Sequence, residues 1–517
     1  MLSIVRACAL IGLDGCIVEV ETDFNPRAQI PSFTLVGLPD SAVKESKERV
    51  RAAIKNSGLQ FVNKTYVVNL SPADLPKHGP SYDLAIAIGA LASTDQVPLE
   101  SLDRSVFIGE LSLDGSVRHV KGVMPMVYTA YQEGFERAYV PADDAPQAAL
   151  VEGIEIIPVD TLGQLVEHLY ALDPITPYVL DRNLSANGSA VPDGIVDFSA
   201  IKGQDHVKRA LEIAAGGNHN IRMMGPPGTG KTLMARAIPG ILPRMSLEEA
   251  LEVTRIYSVA DMIQSDRPLM QSRPFRAPHH TISQPGMVGG GTMPRPGEIT
   301  LAHRGVLFLD EATEHNPRTL EVLRQPIEDK IVTISRAKGT LTFPANFLLV
   351  LAHNQCPCGN FGDNTKPCTC TPAMISRYQS KLSGPLLDRV DIHVEVPRVD
   401  YDKLMGITQG ERSDVIRGRV EQARERQRQR FNGKPGLFAN SDMRVGDIER
   451  FCILTAEARQ LLEISIKRMQ LSARAYHRML KLSRTIADLA GADTISIQHI
   501  AEAIQYRRFA PQFAQAS

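Results

Sequence analysis

The sequence lacks long apolar runs, an excess of charge of either sign, and a dense set of cysteines. Its longest apolar run, residues 347–352, has six residues, whereas a membrane-spanning helix needs about 20. Lys and Arg number 57 and Asp and Glu 58, so any nucleic-acid contact must come from a local basic patch. Seven cysteines in 517 residues do not make a disulfide scaffold, and no signal-peptide pattern opens the chain. We therefore expect a soluble, cytoplasmic protein.

Changes in composition along the chain divide it into four segments. Residues 1–171 mix short β-rich runs with helical patterns, which predicts a compact α/β domain. Residues 172–195 are rich in Pro, Gly, Asn and Ser and are interpreted as a linker. Residues 196–400 alternate apolar strands with helices and glycine-rich turns, which favours a parallel sheet. Residues 401–517 lose the strand signal and are predicted to be helical, so the fold class is α/β with a helical C-terminal part.

The most specific signal is a phosphate-binding loop, Gly225-Pro-Pro-Gly-Thr-Gly-Lys231-Thr232. It fits the pattern G-x-x-x-x-G-K-[ST] and lies between an apolar strand and a helical segment. In such a loop several backbone N–H groups converge on phosphate oxygens, and the following helix adds its positive end. Lys231 is expected to pair with the β- and γ-phosphates, and the Thr232 hydroxyl to bind Mg²⁺. The residues predicted to hold the nucleotide are Gly225, Pro226, Pro227, Gly228, Thr229, Gly230, Lys231, Thr232 and Asp310.

A loop of this kind needs an acidic partner at the end of a neighbouring strand. Asp310 and Glu311 directly follow the apolar run Val306–Leu309, which suits a strand buried on both faces. Asp310 is expected to hold Mg²⁺, and Glu311 to activate an attacking water. Two adjacent carboxylates can also begin a helix, but beside a phosphate-binding loop they indicate nucleotide hydrolysis.

Two further polar residues fit the same site. Asn354 lies just past the apolar run 347–352, where its side chain could orient the attacking water; the alternative is a turn-forming Asn. Arg389 lies where a loop meets a strand and could reach the γ-phosphate of a neighbouring subunit to stabilise charge in the transition state. The alternative for Arg389 is a surface ion pair with Asp388 or Asp391.

Four of the seven cysteines lie within fifteen residues, as Cys356-x-Cys358 and Cys368-x-Cys370. Four thiolates on one loop supply a tetrahedral sulfur site, which favours Zn²⁺. The C-x-C spacing is tighter than the usual C-x₂-C, and the alternatives are reduced or redox-active thiols or two disulfides. The prediction is a structural Zn²⁺ site held by Cys356, Cys358, Cys368 and Cys370.

Longer motifs carry a resemblance to a known family. Residues 196–510 resemble the magnesium-chelatase-like branch of the AAA+ ATPases, and the whole chain resembles the ComM/YifB family within that branch. The motifs are Arg273-Pro-Phe-Arg-Ala-Pro-His-His280, Gly289-Gly-Gly-Thr-Met-Pro-Arg-Pro-Gly-Glu298, Leu301-Ala-His-Arg-Gly-Val-Leu-Phe-Leu-Asp-Glu311, Leu323-Arg-Gln-Pro326, Ser335-Arg-Ala337, Cys356-Pro-Cys-Gly359 and Arg474-Ala-Tyr-His-Arg478. The resemblance implies a P-loop AAA+ sheet with a C-terminal helical lid, and Mg²⁺ and ATP as cofactors.

The resemblance also assigns roles to residues. The loop at 225–232 matches Walker A, and Asp310 with Glu311 matches Walker B. Asn354 matches sensor 1, and Arg389 matches the arginine finger that completes a neighbour's site. Arg474 opens a helix in the lid, matches sensor 2 and is expected to touch the γ-phosphate of its own subunit. Because the site is completed between subunits, the resemblance implies a homo-hexameric ring.

Two insertions typical of this branch project toward the pore of such a ring. Residues 284–298 match the helix-2 insert, and residues 331–343 are predicted to form a β-hairpin. Arg336 and Lys338 at the hairpin tip suit contacts with the DNA backbone, which give affinity without sequence preference; a solvated turn is the alternative. The Arg-rich stretch 412–430 is interleaved with acids and is interpreted as a solvated helical face.

The N-terminal segment, residues 1–171, resembles the Lon-protease-like fold. Lys77-His-Gly-Pro-Ser81 resembles the nucleophile loop of Lon, and Gly109–Gly115 the strand that leads to its catalytic Lys. That Lys position falls on Met124 here, with Lys121 one helical turn earlier. Because a Ser nucleophile needs a nearby base and a thioether cannot serve as one, we expect a non-proteolytic scaffold or a collar that guides DNA.

Residues and resemblance together predict a hexameric, Mg²⁺-ATP-driven DNA motor. Within this family the resemblance implies branch migration of three- and four-stranded DNA during the integration of transforming DNA. The expected partners are single-stranded or branched DNA, copies of the same chain and recombination proteins, with no membrane. The alternatives are a metal-insertion motor like the magnesium chelatase subunit and an ATP-dependent Lon-like protease.

Overall fold

The computed structural model describes residues 2–180, 194–291, 295–336, 339–363, 366–399, 410–432, 434, 436–469 and 472–507. The chain forms two compact units, one made of residues 1–188 with 250–271 and the other of residues 189–249 with 272–517. Segment 250–271 therefore belongs to the first unit although the sequence places it within the second. Among the described residues, no helix combines the length and apolar character needed to cross a membrane.

A seven-stranded sheet organises the first unit. The strands of this unit are β1 (Leu2–Ile11), β2 (Asp14–Asn25), β3 (Ser32–Val36), β4 (Thr65–Ser71), β5 (Ser105–Phe107), β6 (Glu110–Leu111), β7 (Val117–Arg118), β8 (Arg137–Pro141) and β9 (Glu155–Val159). The order in the sheet is β3-β4-β2-β1-β5-β8-β9, antiparallel between β1 and β2 and between β2 and β4 and parallel at the other contacts. Strands β6 and β7 form a separate antiparallel pair.

Five helices accompany this sheet: α1 (Ser41–Asn56), α2 (Asp83–Ala92), α3 (Val123–Gln132), α4 (Ala145–Ala148) and α5 (Leu162–Leu169). Every residue of α2 is buried, as expected for a helix whose sequence is apolar on all sides. The single charged residue of α2, Asp83, is neutralised by Arg49, whose Nε lies 2.7 Å from Asp83 Oδ2. The predicted α/β character of this segment is therefore confirmed.

A five-stranded parallel sheet organises the second unit. The strands of this unit are β10 (Ile221–Met224), β11 (Phe275–Arg276), β12 (Gly289–Gly290), β13 (Arg295–Pro296), β14 (Val306–Leu309), β15 (Ile331–Arg336), β16 (Gly339–Pro344), β17 (Leu348–His353) and β18 (Ile392–Glu395). The sheet order is β11-β14-β17-β10-β18, with every pairing parallel. All residues of β10, β14 and β17 are buried, which explains why these strands are almost wholly apolar. The predicted parallel sheet is confirmed.

Helices cover this sheet and form the C-terminal part of the unit. They are α6 (Asp205–Gly217), α7 (Lys231–Ile241) and, from α9 onward, α9 (Gln284–Val288), α10 (Glu298–Leu301), α11 (Pro317–Glu321), α12 (Arg324–Asp329), α13 (Pro372–Gln379), α14 (Gly384–Leu387), α15 (Ser413–Phe431), α16 (Val445–Phe451), α17 (Ala456–Met469), α18 (Ala473–Leu489) and α19 (Ile497–Gln505). The helix between α7 and α9 is α8 (Leu247–Val259), whose residues from Ala250 onward belong to the first unit. Short 3₁₀ turns lie at Leu99–Leu102, Ala142–Asp144, Phe198–Ala200, Ala312–Glu314 and Asn440–Asp442. The helical C-terminal prediction is confirmed, while residues 400–409 and linker residues 181–193 lie outside the described part of the chain.

The register of the parallel sheet determines where polar loops meet. Met224 of β10 pairs with His353 of β17, and Leu309 of β14 pairs with Leu351. The three strands therefore end at the same edge of the sheet. In open α/β sheets ligands bind beyond the carboxyl ends of the strands, and residues 225–232, 310–311 and 354 all follow those ends.

Candidate nucleotide site and metal centre

The loop after β10 is shaped by glycines that other residues cannot replace without a clash or strain. A Cβ on Gly225 would lie 2.1 Å from the backbone oxygen of Val396. Gly228 and Gly230 have φ angles of +78° and +86°, in the left-handed region that favours glycine. The chain can therefore curl tightly and lead directly into α7, which begins at Lys231.

Lys231 is buried and bonded to its own loop. Its Nζ donates to the backbone oxygens of Gly225 at 2.7 Å and Pro226 at 2.8 Å, and to Asn354 Oδ1 at 3.3 Å. Burial lowers the pKa of Lys231 to about 8, an effect that the nearby Asp310 carboxylate opposes. The ammonium group thus joins the loop after β10 to the residue after β17.

Thr232 and Asp310 join the loop to the end of β14. The Thr232 hydroxyl donates to Asp310 Oδ2 at 2.6 Å, and the backbone N–H of Glu311 donates to Asp310 Oδ1 at 2.9 Å. A hydroxyl and a carboxylate are oxygen ligands of the kind that Mg²⁺ prefers. The donor set therefore fits a Mg²⁺ ion bound together with phosphate oxygens.

Glu311 presents an exposed carboxylate beside a group of histidines. Its backbone is left-handed, with φ of +47°, a conformation that costs an L-residue roughly 1–3 kcal/mol. Its Oε2 lies 3.5 Å from His280 Nδ1, and the His280 ring lies 4.1 Å from that of His279. His315 Nε2 lies 3.3 Å from the backbone oxygen of Asp310. The left-handed residue Glu311 therefore follows Asp310 directly and places its carboxylate near His280.

Two buried basic residues, Arg222 and His353, connect to the backbone of Asn354. Arg222 Nε donates to His353 Nε2 at 2.7 Å, and His353 Nδ1 lies 2.5 Å from the backbone oxygen of Asn354. Burial lowers the pKa of His353 to about 3, so this imidazole is neutral and can both accept and donate. Through this contact His353 fixes the backbone of Asn354, the residue whose side chain contacts Lys231.

The two predicted arginines meet on a residue that the sequence did not single out. Arg389 Nη2 lies 2.7 Å from Glu328 Oε2, and Arg474 Nη2 lies 2.9 Å from Glu328 Oε1. Asp391, one of the alternatives for an ion pair of Arg389, pairs instead with Arg478 at 2.6 Å. Of the predicted residues, Lys231 thus contacts Asn354 and Thr232 contacts Asp310, while Arg389 and Arg474 share one carboxylate.

The four clustered cysteines come together as the spacing predicts. Their sulfur atoms all lie within 4.8 Å of one another, with separations of 3.4 Å between Cys356 and Cys358, 3.7 Å between Cys356 and Cys368, and 3.6 Å between Cys358 and Cys368. A tetrahedral Zn²⁺ with Zn–S bonds of about 2.3 Å places its sulfur ligands about 3.8 Å apart. All seven cysteines of the chain are free thiols. The group can therefore hold a metal ion.

Backbone N–H groups make part of this cluster acidic. Hydrogen bonds, first from the N–H of Asn360 and then from that of Thr369, lower the pKa of Cys358 to about 5. The N–H of Phe361 donates to Cys356 Sγ at 3.3 Å. Thiolates are the metal-binding form of cysteine, and these hydrogen bonds favour that form at Cys358. At Cys368 the N–H of Cys370 has the same effect, but desolvation and the neighbouring thiols outweigh it and raise the pKa of Cys368 to about 12.

The residues of the Lon-like motif lie in the first unit. Met124 is buried in α3 within an apolar cluster. Lys121 Nζ lies 2.6 Å from Asp261 Oδ2, and Lys77 is buried with its Nζ donating to the backbone oxygen of Pro72. Ser81 contributes its backbone oxygen to the N–H of Gly109 at 3.1 Å.

The hairpin predicted at 331–343 is formed by β15 and β16, with Ile331 paired to Pro344 and Arg336 to Gly339. Lys338, predicted to contact DNA, lies outside the described residues, and of Arg336 only the backbone is described. The helix-2 insert contains α9 and the two-stranded pair β12 and β13. The predicted secondary structure of the hairpin is thus confirmed, while its DNA contacts stay a prediction.

Fold and site together define the class of protein: a P-loop protein of the AAA+ ATPase class. The family described as magnesium chelatase, subunit ChlI, matches residues 197–404. A second family, described as subunit ChlI of Mg-chelatase, matches residues 20–144. A third, described as the C-terminal part of magnesium chelatase subunit ChlI, matches residues 410–507.

Two bacterial proteins are similar to this chain over almost its entire length. Competence protein ComM of Haemophilus influenzae is 42% identical, covering 98% of this chain and 97% of its own. Protein YifB of Escherichia coli is 41% identical over the same shares. The chain therefore belongs to the ComM/YifB family of magnesium-chelatase-like AAA+ proteins. Lon protease 2 of Bacillus subtilis is 26% identical over 188 residues, a third of each chain, and this similarity lies in the N-terminal part.

Proposed function

We propose that the chain is a Mg²⁺-ATP-driven DNA motor that works as a homo-hexameric ring on single-stranded or branched DNA. The observation that carries the proposal is the hydrogen-bonded set formed by Lys231, Thr232, Asp310 and Asn354 at the carboxyl edge of one parallel sheet. Such a set places a cation, a hydroxyl, a carboxylate and an amide around the phosphates of a nucleotide.

Each residue of this set has a task that follows from its chemistry. The loop N–H groups and Lys231 bind the phosphates, and Thr232 and Asp310 hold Mg²⁺, which neutralises charge on the phosphate oxygens when bound. Glu311 takes a proton from the attacking water, and Asn354 orients that water. The His353 contact supports this role because it holds the Asn354 backbone in place.

Arg389 and Arg474 complete the site of an adjoining copy. Support for this step comes from Glu328, which holds both guanidinium groups, so that the two arginines act as one unit. For Arg474 this differs from the expectation of a contact in its own subunit. An arginine supplied across a subunit boundary stabilises charge in the transition state of phosphoryl transfer, which requires a ring or another closed assembly.

The DNA part of the proposal rests on the hairpin and on a relative. Six copies of a β15–β16 hairpin carrying Arg336 and Lys338 concentrate positive charge that the net charge of −1 hides. The competence protein ComM is similar over nearly the full chain, which supports a role in the recombination of transforming DNA, with branch migration as the specific activity. We place the protein in the cytoplasm, with recombination proteins as further partners.

We further propose that Cys356, Cys358, Cys368 and Cys370 hold a structural Zn²⁺ ion. The four-sulfur donor set and the sulfur separations support this identity of the metal. The cysteines have no open position for catalysis in a four-sulfur site, so their task is to shape the loop that carries them.

A metal-insertion motor is the second candidate, because the matching families are described as magnesium chelatase subunits. The near-complete coverage of ComM and YifB, including the N-terminal unit, favours the DNA motor. An ATP-dependent protease is disfavoured because Met124 offers no base and Lys121 is held by Asp261.

The deciding experiment measures ATP hydrolysis by the full chain with single-stranded, duplex and branched DNA. We expect turnover to rise several-fold with single-stranded or branched DNA and strand exchange to follow on the branched substrate. A protein that stays monomeric and releases no phosphate under any of these conditions would refute the proposal. Peptide cleavage that is stimulated by ATP and abolished by Ser81→Ala would establish the protease instead.

A further inference from the structure

Glu328 is the shared counter-ion of the two arginines that the proposed function assigns to a neighbour's nucleotide. Each of its carboxylate oxygens contacts a different guanidinium group, Oε2 that of Arg389 at 2.7 Å and Oε1 that of Arg474 at 2.9 Å. Both contacts lie within the second unit. One carboxylate therefore holds together two residues that are 85 positions apart in the chain.

The two arginines are held unequally. The Arg389 side chain is 9% exposed, and its Nη1 also donates to the backbone oxygen of Pro385 at 2.7 Å. The Arg474 side chain is 51% exposed and that of Glu328 is 35% exposed. The buried Arg389 side chain is thus held by two partners, whereas the side chains of Arg474 and Glu328 are accessible to a ligand from solvent.

A carboxylate and a terminal phosphate present similar oxygen pairs to a guanidinium group, and both accept bidentate hydrogen bonds. Two guanidinium groups and one carboxylate carry a net charge of +1, so the cluster attracts an anion. The γ-phosphate of ATP bears more charge than a carboxylate and competes for the same donors. Glu328 therefore occupies, within one chain, the role that a phosphate of an adjoining copy takes in the assembled site.

Glu328 is also tied to the hairpin that the proposed function places on DNA. It lies in α12, and β15 begins three residues later at Ile331. Between them Lys330 adopts a left-handed φ of +59°, its N–H donates to the Pro326 oxygen at 3.0 Å, and its own oxygen accepts from the N–H of Ala345 at 2.7 Å. These two backbone hydrogen bonds join the end of α12 to the base of the hairpin.

Resting on the proposed function, we infer that Glu328 is a positioning residue that couples the neighbour's ATP to the DNA hairpin. Before ATP arrives, Glu328 pairs Arg389 with Arg474 and neutralises part of their charge. When the triphosphate of an adjoining copy takes over the two guanidinium groups, the carboxylate is released and α12 shifts, which moves the base of β15 and β16. DNA held by the hairpin favours the released state, so DNA stimulates hydrolysis.

The test compares Glu328→Gln with Asp329→Asn, which removes the same charge from the next residue of α12, an exposed side chain. ATP turnover is measured with and without single-stranded DNA. For Glu328→Gln we expect turnover without DNA to rise about tenfold, because the arginines lose a competing charged partner, and DNA to raise it no further. Asp329→Asn keeps the stimulation of the unchanged protein, and Glu328→Asp restores part of it.

A second measurement follows the hairpin directly. The chain contains no tryptophan, so Thr342→Trp at an exposed position of β16 introduces a single fluorescent reporter. A non-hydrolysable ATP analogue is expected to change its emission, and the added Glu328→Gln substitution to abolish that change. Thermal melting checks that each variant is folded, and Glu328→Ala replaces the Gln variant if the latter melts early.

The outcomes separate this inference from the proposed function. If the unchanged protein is not stimulated by any DNA, the proposed function fails. If it is stimulated and the Glu328 variants keep both the stimulation and the change in emission, then the coupling role of Glu328 is wrong while the motor stands. An emission unchanged by nucleotide in Thr342→Trp alone refutes the link from Glu328 to the hairpin.

Discussion

Gly359 of the cysteine-rich segment lies against Pro227 of the phosphate-binding loop: a Cβ on Gly359 would come within 2.8 Å of Pro227 Cδ. Gly359 has a φ of +82°, and its N–H donates to the backbone oxygen of Cys356 at 3.0 Å. Glycine is thus needed at this position both for its backbone conformation and for the close approach. The segment that carries the four cysteines therefore packs directly on the loop proposed to bind ATP.

The first prediction concerns the metal that this segment holds. Replacing Cys358 and Cys368 with Ser removes two of four ligands, and we expect the bound metal to fall from one ion per chain to none. Because the turn at Gly359 then loses its support, the KM for ATP is expected to rise about tenfold. Metal analysis and ATP kinetics check both expectations, with Cys16→Ser, outside the cluster, as the control. Zinc-free wild-type protein purified without chelator would refute the metal site.

The second prediction concerns Lys231. Lys231→Ala removes the ammonium group that links the loop to Asn354, and we expect ATP turnover to fall at least about a hundredfold, since the charge on the β- and γ-phosphates loses its partner. Phosphate release measures this decrease. Lys467→Ala, on an exposed position of α17, serves as the control and keeps full turnover. Normal hydrolysis in Lys231→Ala would contradict the assigned site.

The third prediction separates binding from hydrolysis at Glu311. Glu311→Gln keeps the size of the side chain but removes the base, so ATP is expected to bind and to persist, with turnover reduced about a hundredfold or more. Nucleotide that remains with the protein after gel filtration reports the trapped state. Glu314→Gln, which alters an acid paired with Lys381 at 3.3 Å, is the matched control. Turnover at the wild-type rate in Glu311→Gln would show that another group activates the water.

The fourth prediction concerns the hairpin. Removing both Arg336 and Lys338 by Ala substitution is expected to weaken binding to single-stranded DNA and to flatten its dependence on salt. The log–log slope should decrease by about 0.7 for each DNA phosphate that the variant no longer neutralises. Binding is measured from about 50 to 200 mM salt. The double variant Arg459→Ala with Lys467→Ala removes the same charge from exposed positions of α17 and leaves the slope unchanged. An unaltered slope in the hairpin variant would place the DNA-binding surface elsewhere.

The fifth prediction concerns pH and the first unit. His119 Nε2 lies 2.9 Å from Asp261 Oδ1, and its Nδ1 lies 2.5 Å from Asp144 Oδ1. The hydrogen bond to Asp144, then the charges of Asp144 and Asp261, raise the pKa of His119 to about 9. Lys121 also pairs with Asp261, with its Nζ 2.6 Å from Asp261 Oδ2, and Asp143 lines the same pocket as His119.

Because the pKa of His119 is raised above its unfolded value of 6.5, its contribution to stability is fully present below pH 6.5. It is lost as the pH rises through about 9. We expect proteolysis within segment 250–271 to accelerate between about pH 6.5 and 9.5, and His119→Gln to cleave at one rate throughout that range. His477→Gln keeps the pH dependence of the unchanged protein. Equal pH profiles for wild type and His119→Gln would contradict the role of this pair of contacts.

Much of the fold was accessible from the sequence because its signals are local. The run Val306–Leu309 is apolar throughout, and it forms β14 with the same bounds. The hairpin predicted at 331–343 is formed by β15 and β16 over Ile331–Arg336 and Gly339–Pro344. Periodicity and capping act between neighbours in the chain, so they leave a readable pattern.

The contacts that the sequence left hidden connect residues far apart in it. Glu328 resembles any surface acid in a short helix, and nothing in its neighbours indicates that it binds Arg389 and Arg474. His280 near Glu311, and the assignment of residues 250–271 to the first unit, are of the same kind. A motif signal existed for His280, within the run that ends at that residue, but no signal existed for Glu328.

By itself, the sequence determined the chemistry available to this protein: a phosphate-binding loop, an acidic pair, four clustered thiols and a Met at position 124 of the Lon-like segment. Such features depend on residue type and close spacing, which the chain order preserves. Only the tertiary structure decided which of these groups act together, because the parallel register joins Lys231 to Asn354 and the packing of α12 places one carboxylate between two distant arginines. Those contacts arise from burial and strand pairing between residues that are far apart in the sequence. No local sequence pattern therefore indicates them.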